Sequence, residues 1–409
     1  MSSLLDYLLS HGMGRALRHA NYARFVGWGF VSTMGFWVQR LGMQWLVWDL
    51  THSYFWLGAV ALTEAAIVIA FLPAAGALAD RVDRLFIARA TQSASMAIAA
   101  VLGVATLAGL ATPLLLLVFV ALMALADAFW TPVRLALVPN LLPREDLMPA
   151  MGLLAFSFNT SQMLGPALAG FILLYTDVGY AFLFNALSYA FMVMALFRIT
   201  IRPSGLAPRQ SAGFFADFRA GLGYVARHRL VLALLMLSAS VSFLVRPYRE
   251  LLAGYADDLF GRGASGLSAL ASATGAGALI AAIIASGLLK SPRSLKPIFI
   301  ALCLIVLGLL MFVIAPQIDF GVAVAASATV GFLATFIAIQ GQVLLQSIIP
   351  EDRRGRVMAL WGAQMRAGPP LGAWLVSIVA GAWSMPMALA LMAALLTVFI
   401  AWSAMWTRR

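Results

Sequence analysis

The chain contains few charged residues and a single cysteine. Of its 409 residues, 11% are charged and 63% are hydrophobic, whereas soluble domains are roughly 25% charged and about 45–50% apolar. This composition excludes a soluble enzyme, a disordered tail and a coiled coil. The one cysteine, Cys303, lies inside an apolar run, so neither a disulfide framework nor a cysteine metal cluster can form.

Sequence motifs for nucleotide hydrolysis and metal binding are also missing. No glycine-rich loop ends in Gly-Lys-Ser or Gly-Lys-Thr, and no His-Glu-x-x-His motif occurs. We therefore expect no metal and no cofactor. A membrane-embedded acyl or glycosyl transferase would need convergent nucleophiles or His/Asp pairs at one membrane face, and the sequence offers none. Gly275, Gly277 and Gly287 lie in an apolar run, which predicts close helix packing instead of a dinucleotide site.

Long apolar runs are what the sequence has in abundance. A membrane-spanning helix needs about 20 predominantly apolar residues, and Pro, Gly, Asp and Arg separate twelve runs of that kind. They lie near residues 24–48, 56–78, 90–110, 114–138, 149–173, 180–198, 230–252, 265–289, 297–315, 321–347, 357–381 and 384–406. The sequence therefore predicts an all-α integral membrane protein with twelve transmembrane helices.

A long, polar and arginine-rich stretch divides these runs six and six. The predicted organisation is therefore a cytoplasmic N-terminal segment, a six-helix bundle, a cytoplasmic linker and a second six-helix bundle. These parts correspond to residues 1–23, 24–198, 199–229 and 230–409.

The basic residues predict the orientation. The formal net charge is +11, and with a cytoplasmic N-terminus every basic residue in a predicted loop except Arg262 falls on the inner side. Short loops rich in Lys and Arg stay in the cytoplasm. The excess charge thus indicates topology and not a nucleic-acid partner. We expect both termini in the cytoplasm and a multi-pass protein of the bacterial cytoplasmic (inner) membrane.

The loop after the second run reads Gly76-Ala77-Leu78-Ala79-Asp80-Arg81-Val82-Asp83-Arg84. It resembles the signature loop of the major facilitator superfamily, although Asp83 stands where glycine is usual and Leu85 replaces a basic residue. The resemblance implies an inner gate that biases the protein toward its outward-facing state. Its residues would be Gly76, Asp80, Arg81, Arg84 and Arg134. Alternatively, these charges are solvated and only set the topology.

Three further segments are similar to the branch of this superfamily that contains the enterobactin exporter and related secretion-type transporters. They are Phe129–Pro132 with Pro143–Leu147, then Gly165–Gly170, then Pro350–Met358. The resemblance covers nearly the whole chain and implies two pseudo-symmetric six-helix halves that work by alternating access. Gly165, Pro166 and Gly170 resemble a motif typical of exporters. The alternative is a kinked, tightly packed helix without bearing on transport direction.

Ionisable residues inside the predicted helices are functional candidates because a charge in a membrane is costly. Asp127 and Glu64 are the predicted proton carriers, and Arg40 and Arg366 are their predicted counter-ions. A static ion pair that fixes helix packing is the alternative. No histidine falls within a run, which excludes a histidine relay. A predicted outer gate consists of Arg246, Arg249 and Glu250.

Polar and aromatic residues in the runs are candidates for a cargo cavity. Each could equally bond a neighbouring helix, pack in the core or face lipid. The candidates are Phe36, Trp37, Phe129, Trp130, Asn159, Gln162, Phe243, Gln340, Trp361 and Gln364.

Together these features predict a secondary transporter. We expect proton-coupled export of amphipathic small molecules such as drugs or siderophores, by a protein that works as a monomer in the bilayer. A lysophospholipid flippase of the same fold is the main alternative, and a passive channel is another.

Overall fold

The computed structural model describes residues 12–201, 214–287 and 295–408, and these ranges contain helices and no β-strand. The predicted segment 1–23 and the linker 199–229 thus fall partly outside the described residues. The side chains of Asp80 and Arg81 also lie outside the described part of the chain.

Six long helices lie in the described residues 12–201. They are α1 (Ala20–Thr51), α2 (Tyr54–Arg81), α3 (Arg84–Leu107), α4 (Pro113–Leu141), α5 (Leu147–Tyr175) and α6 (Val178–Arg198). Short 3-10 helices at Gly12–Arg18 and Arg144–Asp146 precede α1 and α5.

Eight helices lie in the described residues 214–287 and 295–408. They are α7 (Phe214–Arg227), α8 (Arg229–Ser240), α9 (Leu252–Asp258), α10 (Gly263–Gly287), α11 (Lys296–Ile318), α12 (Phe320–Ile348), α13 (Glu351–Ala382) and α14 (Met385–Arg408). A π turn, Val241–Val245, and a 3-10 turn, Arg246–Leu251, join α8 to α9.

Local capping explains where several helices begin. Asp83 accepts hydrogen bonds from the backbone N–H groups of Leu85 (2.6 Å) and Phe86 (3.0 Å), and therefore caps α3. The aspartate that replaces the usual glycine of the family loop thus has a structural role. Thr112 caps α4, which starts with a proline, and Asp177 caps α6.

Nine helical segments in the described ranges are long and apolar enough to cross a membrane. One of them, Arg229–Asp258, contains α8, both turns and α9. The helices α1, α5 and α13 are 32, 29 and 32 residues long but are not among the nine. Each of these three carries polar residues in its middle, and many of the predicted site residues lie on them.

The chain divides into two compact units. The first contains the described residues up to Leu46 and those from Ala66 to the end of α6. The second contains Val47–Ala65 and the described residues from α7 onward. The end of α1 and the start of α2 therefore belong to the second unit.

Within each unit, small residues let helices pack closely. In the first unit α3 packs against α6, and a Cβ at Gly179 would lie 2.9 Å from the carbonyl oxygen of Gly103. In the second unit α10 packs against α12, where a Cβ at Gly277 would collide with the carbonyl oxygen of Ala328. The close helix packing predicted for Gly277 is confirmed.

Candidate functional site

A buried polar network links α1 and α6 in the first unit. The Asn185 amide donates a 2.7 Å hydrogen bond to Oε1 of Gln39, and the Ser188 hydroxyl donates a 2.9 Å bond to Oδ1 of Asn185. All three side chains are buried. A Cβ at Gly35 would collide with the Ser188 hydroxyl, so this glycine allows the close approach of α1. Arg40 directly follows Gln39 on α1.

The network continues toward Asp127 on α4. Tyr189, the next residue after Ser188, is buried and lies near the side chains of Asn185 and Ser95 and within electrostatic reach of Asp127. The Thr131 hydroxyl donates a 3.1 Å hydrogen bond to Oδ1 of Asp127. The half-buried carboxylate of Asp127 therefore lies at the edge of a polar cluster and not in an apolar environment.

Trp37 and Gly165, both predicted from the sequence, meet where α1 packs on α5. A Cβ at Gly165 would collide with the Cβ of Trp37. The Trp37 ring also contacts Phe158 edge-on, with 5.9 Å between ring centroids, and Phe36 at 5.6 Å. Gly165 therefore allows close packing of α1 on α5, and its role in an exporter-type motif stays a prediction.

The other candidates on α5 are Asn159, Gln162, Pro166 and Gly170. The Asn159 amide donates a 2.7 Å hydrogen bond to the carbonyl oxygen of Ala155, one turn earlier. Gln162 is buried, and Pro166 and Gly170 follow it within the same helix.

A cavity of about 30 Å³ lies inside the first unit. Its walls come from α1, α4, α5 and α6, and they include Phe25 and Trp130, whose ring centroids are 6.4 Å apart. Arg134 also lines it. Trp130 lines this cavity, and both Trp130 and Phe129 pack against a buried apolar cluster that includes Val133 and Leu137. Their role in a cargo cavity stays a prediction.

The predicted inner gate is described only in part. Arg84 donates a 3.2 Å hydrogen bond to the carbonyl oxygen of Ala136 on α4. A Cβ at Gly76 would meet no heavy atom within 4 Å. Since the side chains of Asp80 and Arg81 are outside the described residues, their role as gate residues stays a prediction.

The residues around the start of α1 form a cluster with the residues around the start of α5. The sequence did not predict this cluster. Asp146 forms an ion pair with Arg15 (2.6 Å) and a 2.7 Å contact with the His19 ring. The buried Tyr22 hydroxyl, at the start of α1, donates a 2.6 Å hydrogen bond to the carbonyl oxygen of Ala150. Buried Asp146 therefore holds the 3-10 helix against the start of α5.

In the second unit, α13 packs against the π and 3-10 turns between α8 and α9. A Cβ at Gly368 would lie 2.7 Å from the Cβ of Ser242 and 3.4 Å from the Phe243 ring. The Gln364 amide donates a hydrogen bond to the Ser238 hydroxyl on α8. Three predicted residues, Phe243, Gln364 and Arg366, thus lie at or near this contact.

Two other predicted residues of the second unit are buried where α12 faces α13. The Trp361 ring lies against Gly341, where an added Cβ would be 2.9 Å from the indole. Gln340, which precedes this glycine, is also buried.

A cluster of aromatic and acidic residues joins the end of α1 and the start of α2 to α9, and the sequence did not predict it. The Trp48 indole donates a 2.9 Å hydrogen bond to Oδ2 of Asp257, and the Tyr54 hydroxyl donates a 3.2 Å bond to Oδ2 of Asp258. Gly254 makes room for both rings. The sequence signal at this place is three tryptophans, Trp45, Trp48 and Trp56, which flank the first predicted turn.

The predicted charged residues are divided between the two units. Arg40 and Asp127 belong to the first, whereas Glu64 and Arg366 belong to the second. The predicted outer-gate residues Arg246, Arg249 and Glu250 lie together in the 3-10 turn before α9. Within the described residues, no group of three or more His, Cys, Asp or Glu could hold a metal ion.

Comparisons with known proteins cover almost the whole chain. Residues 16–407 match the family model described as transmembrane secretion effector. The chain is 24% identical over 363 residues to the staphyloferrin A transporter of Staphylococcus aureus (strain NCTC 8325 / PS 47), covering 87% of this chain and 88% of that protein. It is 25% identical over 335 residues to the enterobactin exporter EntS of Escherichia coli O1:K1 / APEC, covering 80% of this chain and 77% of that protein.

Solved structures share the fold. A bacterial homologue of the human lysosomal transporter Spinster, in an inward-facing and occupied conformation, superposes with a TM-score of 0.76 at 12% identity, covering 96% of this chain and 97% of that chain. The nucleoside transporter NupG superposes with a TM-score of 0.71 at 15% identity, covering 95% and 99%. At these identities the likeness concerns the fold and not the cargo.

Proposed function

Because the chain belongs to the transmembrane secretion effectors, a branch of the major facilitator superfamily, we propose that it exports amphipathic small molecules by proton-coupled alternating access. Membership makes it a membrane transporter and not an enzyme. Relatives named for staphyloferrin A and enterobactin support siderophore-like cargo. The protein acts as a monomer in the bacterial cytoplasmic membrane.

The proposed topology adds three spans to the nine apolar ones. The helices α1, α5 and α13 are long enough to cross a bilayer of about 30 Å at about 1.5 Å per residue. Polar residues in the middle of these helices lower their mean hydropathy. Twelve spans would leave both termini on the same side of the membrane, and the basic loops predict that this side is the cytoplasm.

One observation supports proton coupling most directly: the half-buried carboxylate of Asp127 lies beside a polar network within a predicted span. An ionisable side chain within a membrane-spanning helix is costly and is therefore found mainly where it has a partner or a function. In the proposed cycle Asp127 takes up a proton from outside and releases it inside, and cargo leaves in exchange. Glu64 in the second unit is the second carrier, with Arg40 and Arg366 as counter-ions.

Gradient-driven transport in liposomes tests the proposal. Purified protein is reconstituted, a pH gradient is imposed, and proton flux is followed together with ethidium or labelled lysophospholipid movement. We expect cargo-dependent proton flux for the wild type and its loss for Asp127→Asn. The matched control is Asp319→Asn, which removes a carboxylate at the start of α12 but keeps a side chain that can cap the helix.

Two results would overturn the proposal. Lysophospholipid movement that depends neither on the gradient nor on Asp127 would make the protein a lipid flippase. Flux that never saturates with cargo concentration would make it a channel.

A further inference from the structure

The cavity in the first unit combines one cationic side chain with aromatic walls. Among the described residues that line it, Arg134 alone carries a charge, and Phe25, Phe30, Trp130 and Phe158 supply aromatic rings. Arg134 lies within a proposed span, where an ionisable side chain is a candidate for a functional role. The planar guanidinium binds carboxylates through two parallel hydrogen bonds.

Hydroxyl groups add further donors to the same cavity. Ser32 on α1 and Ser157 on α5 line it, and Ser32 is only 8% exposed. The neighbouring Thr33 hydroxyl instead donates a 2.7 Å hydrogen bond to the carbonyl oxygen of Gly29 in its own helix. Two serines and one arginine among the lining residues can each donate hydrogen bonds to an acceptor-only group.

The size of the cavity limits what it can hold. A water molecule needs roughly 10–15 Å³ of such space, so about 30 Å³ accommodates two waters or one carboxylate, but not an aromatic ring. Phe158 is 39% exposed, so the aromatic wall extends from the cavity to the surface of the unit. An apolar group attached to the carboxylate could therefore pack against this ring.

We propose that this cavity binds the carboxylate of an amphipathic cargo molecule, with Arg134 as its ionic partner and Ser32 and Ser157 as hydrogen-bond donors. The inference rests on the proposed function, because the ligand is the transported molecule, and it adds a chemical class to that cargo. It assigns Arg134 to cargo binding, whereas the family resemblance implied a gate role.

A matched pair of probes tests the charge requirement. Binding of 3-phenylpropionate and of its neutral analogue 3-phenylpropanamide is measured by calorimetry on the full-length protein in nanodiscs, without a pH gradient. We expect the wild type to bind the carboxylate at least about tenfold more tightly than the amide, because a charge-assisted bidentate contact is lost with the amide. Trp130→Phe should remove the tryptophan fluorescence change that accompanies binding.

Variants then locate the site. Arg134→Gln should abolish the preference for the carboxylate, and Arg134→Lys should retain part of it. Arg24→Gln, which removes an exposed arginine near the start of α1, is the matched control and should keep the full preference. Thermal unfolding of each variant checks that it is folded. If Arg134→Gln does not fold, the double change Ser32→Ala with Ser157→Ala should lower carboxylate affinity several-fold.

Equal binding of the two probes by the wild type, or a carboxylate preference that survives Arg134→Gln, would overturn the inference. The two proposals can fail separately. Proton-coupled export of neutral cargo with no carboxylate preference would support the proposed function and contradict the carboxylate site. Carboxylate binding without gradient-driven transport would support this site and contradict proton coupling.

Discussion

The side-chain amide of Asn185 on α6 donates a 2.7 Å hydrogen bond to Oε1 of Gln39 on α1, in the interior of the first unit. Asn185 is fully buried and Gln39 is 8% exposed. Neither group can exchange this bond for one to bulk water. The pair therefore fixes the position of α1 against α6 next to Arg40, and the Ser188 hydroxyl donates a further hydrogen bond to Oδ1 of Asn185.

Replacing Asn185 with leucine should destabilise the protein. The change leaves Oε1 of Gln39 buried without its donor, which costs about 1–3 kcal/mol, so thermal unfolding in detergent should occur at a lower temperature. The double variant Gln39→Leu with Asn185→Leu should recover much of the loss, because both polar partners are then absent. Asn159→Leu is the control, since the Asn159 amide donates its hydrogen bond to a carbonyl of its own helix. An equal loss of stability in Asn185→Leu and Asn159→Leu would contradict the role of the buried pair.

A methyl group at Gly331 should disrupt the packing of α10 on α12. A Cβ there would collide with the carbonyl oxygen of Thr274, a backbone atom that cannot rotate away. We expect Gly331→Ala to cost about 1–3 kcal/mol and to reduce the yield of folded protein in size-exclusion chromatography. Gly362→Ala on α13 is the control, because a Cβ there meets nothing within 4 Å. Equal yields of the two variants would refute the close contact.

Two hydrogen bonds at the start of α2 and the end of α1 should differ in strength. Trp48→Phe removes the donor to half-buried Asp257, whereas Tyr54→Phe removes the donor to exposed Asp258. Solvent screens the second bond more than the first. The temperature of thermal unfolding should therefore fall further for Trp48→Phe than for Tyr54→Phe. Adding Asp257→Asn to Trp48→Phe should lower it little more. A larger loss for Tyr54→Phe would show that screening does not decide the order.

The sequence predicted the helices well because a membrane span leaves a long local signal. The first span was expected near 24–48, and α1 covers Ala20–Thr51, since its polar end turns continue the helix beyond the apolar run. The break between α8 and α9 was not predicted. A run such as Val241–Val245 is equally apolar in a π turn and in an α-helix, so hydropathy does not distinguish them.

The site was less predictable because its contacts are distant in sequence. Asp127, Trp37 and Gly165 could be selected one at a time, as a charge, a ring or a glycine inside an apolar run. Gln39 could not be paired with Asn185, 146 residues away, without the packing of α1 on α6. The assignment of Val47–Ala65 to the second unit likewise depends on long-range contacts that no local pattern encodes.

The contact between Asp146 and the residues before α1 leads to a prediction for limited proteolysis. Asp146 is buried, and its carboxylate binds Arg15 at 2.6 Å and His19 at 2.7 Å, so the 3-10 helix Gly12–Arg18 is held in place. Asp146→Asn replaces charged contacts that are together worth about 1.5–3 kcal/mol. The segment should then open about tenfold more often, and trypsin, which cleaves after arginine, should cut at Arg15 and Arg18 correspondingly faster.

Glu145→Gln provides the matched control for this experiment, because Glu145 is exposed and its change also removes one negative charge from the same turn. Mass spectrometry of the purified protein over a trypsin time course would identify the cleavage sites. Faster cleavage in Asp146→Asn alone would assign the restraint to the buried carboxylate. Equal acceleration in both variants would instead attribute it to the general negative charge of the turn. No acceleration in either would mean that other contacts, such as the hydrogen bond of Tyr22 to Ala150, hold the segment.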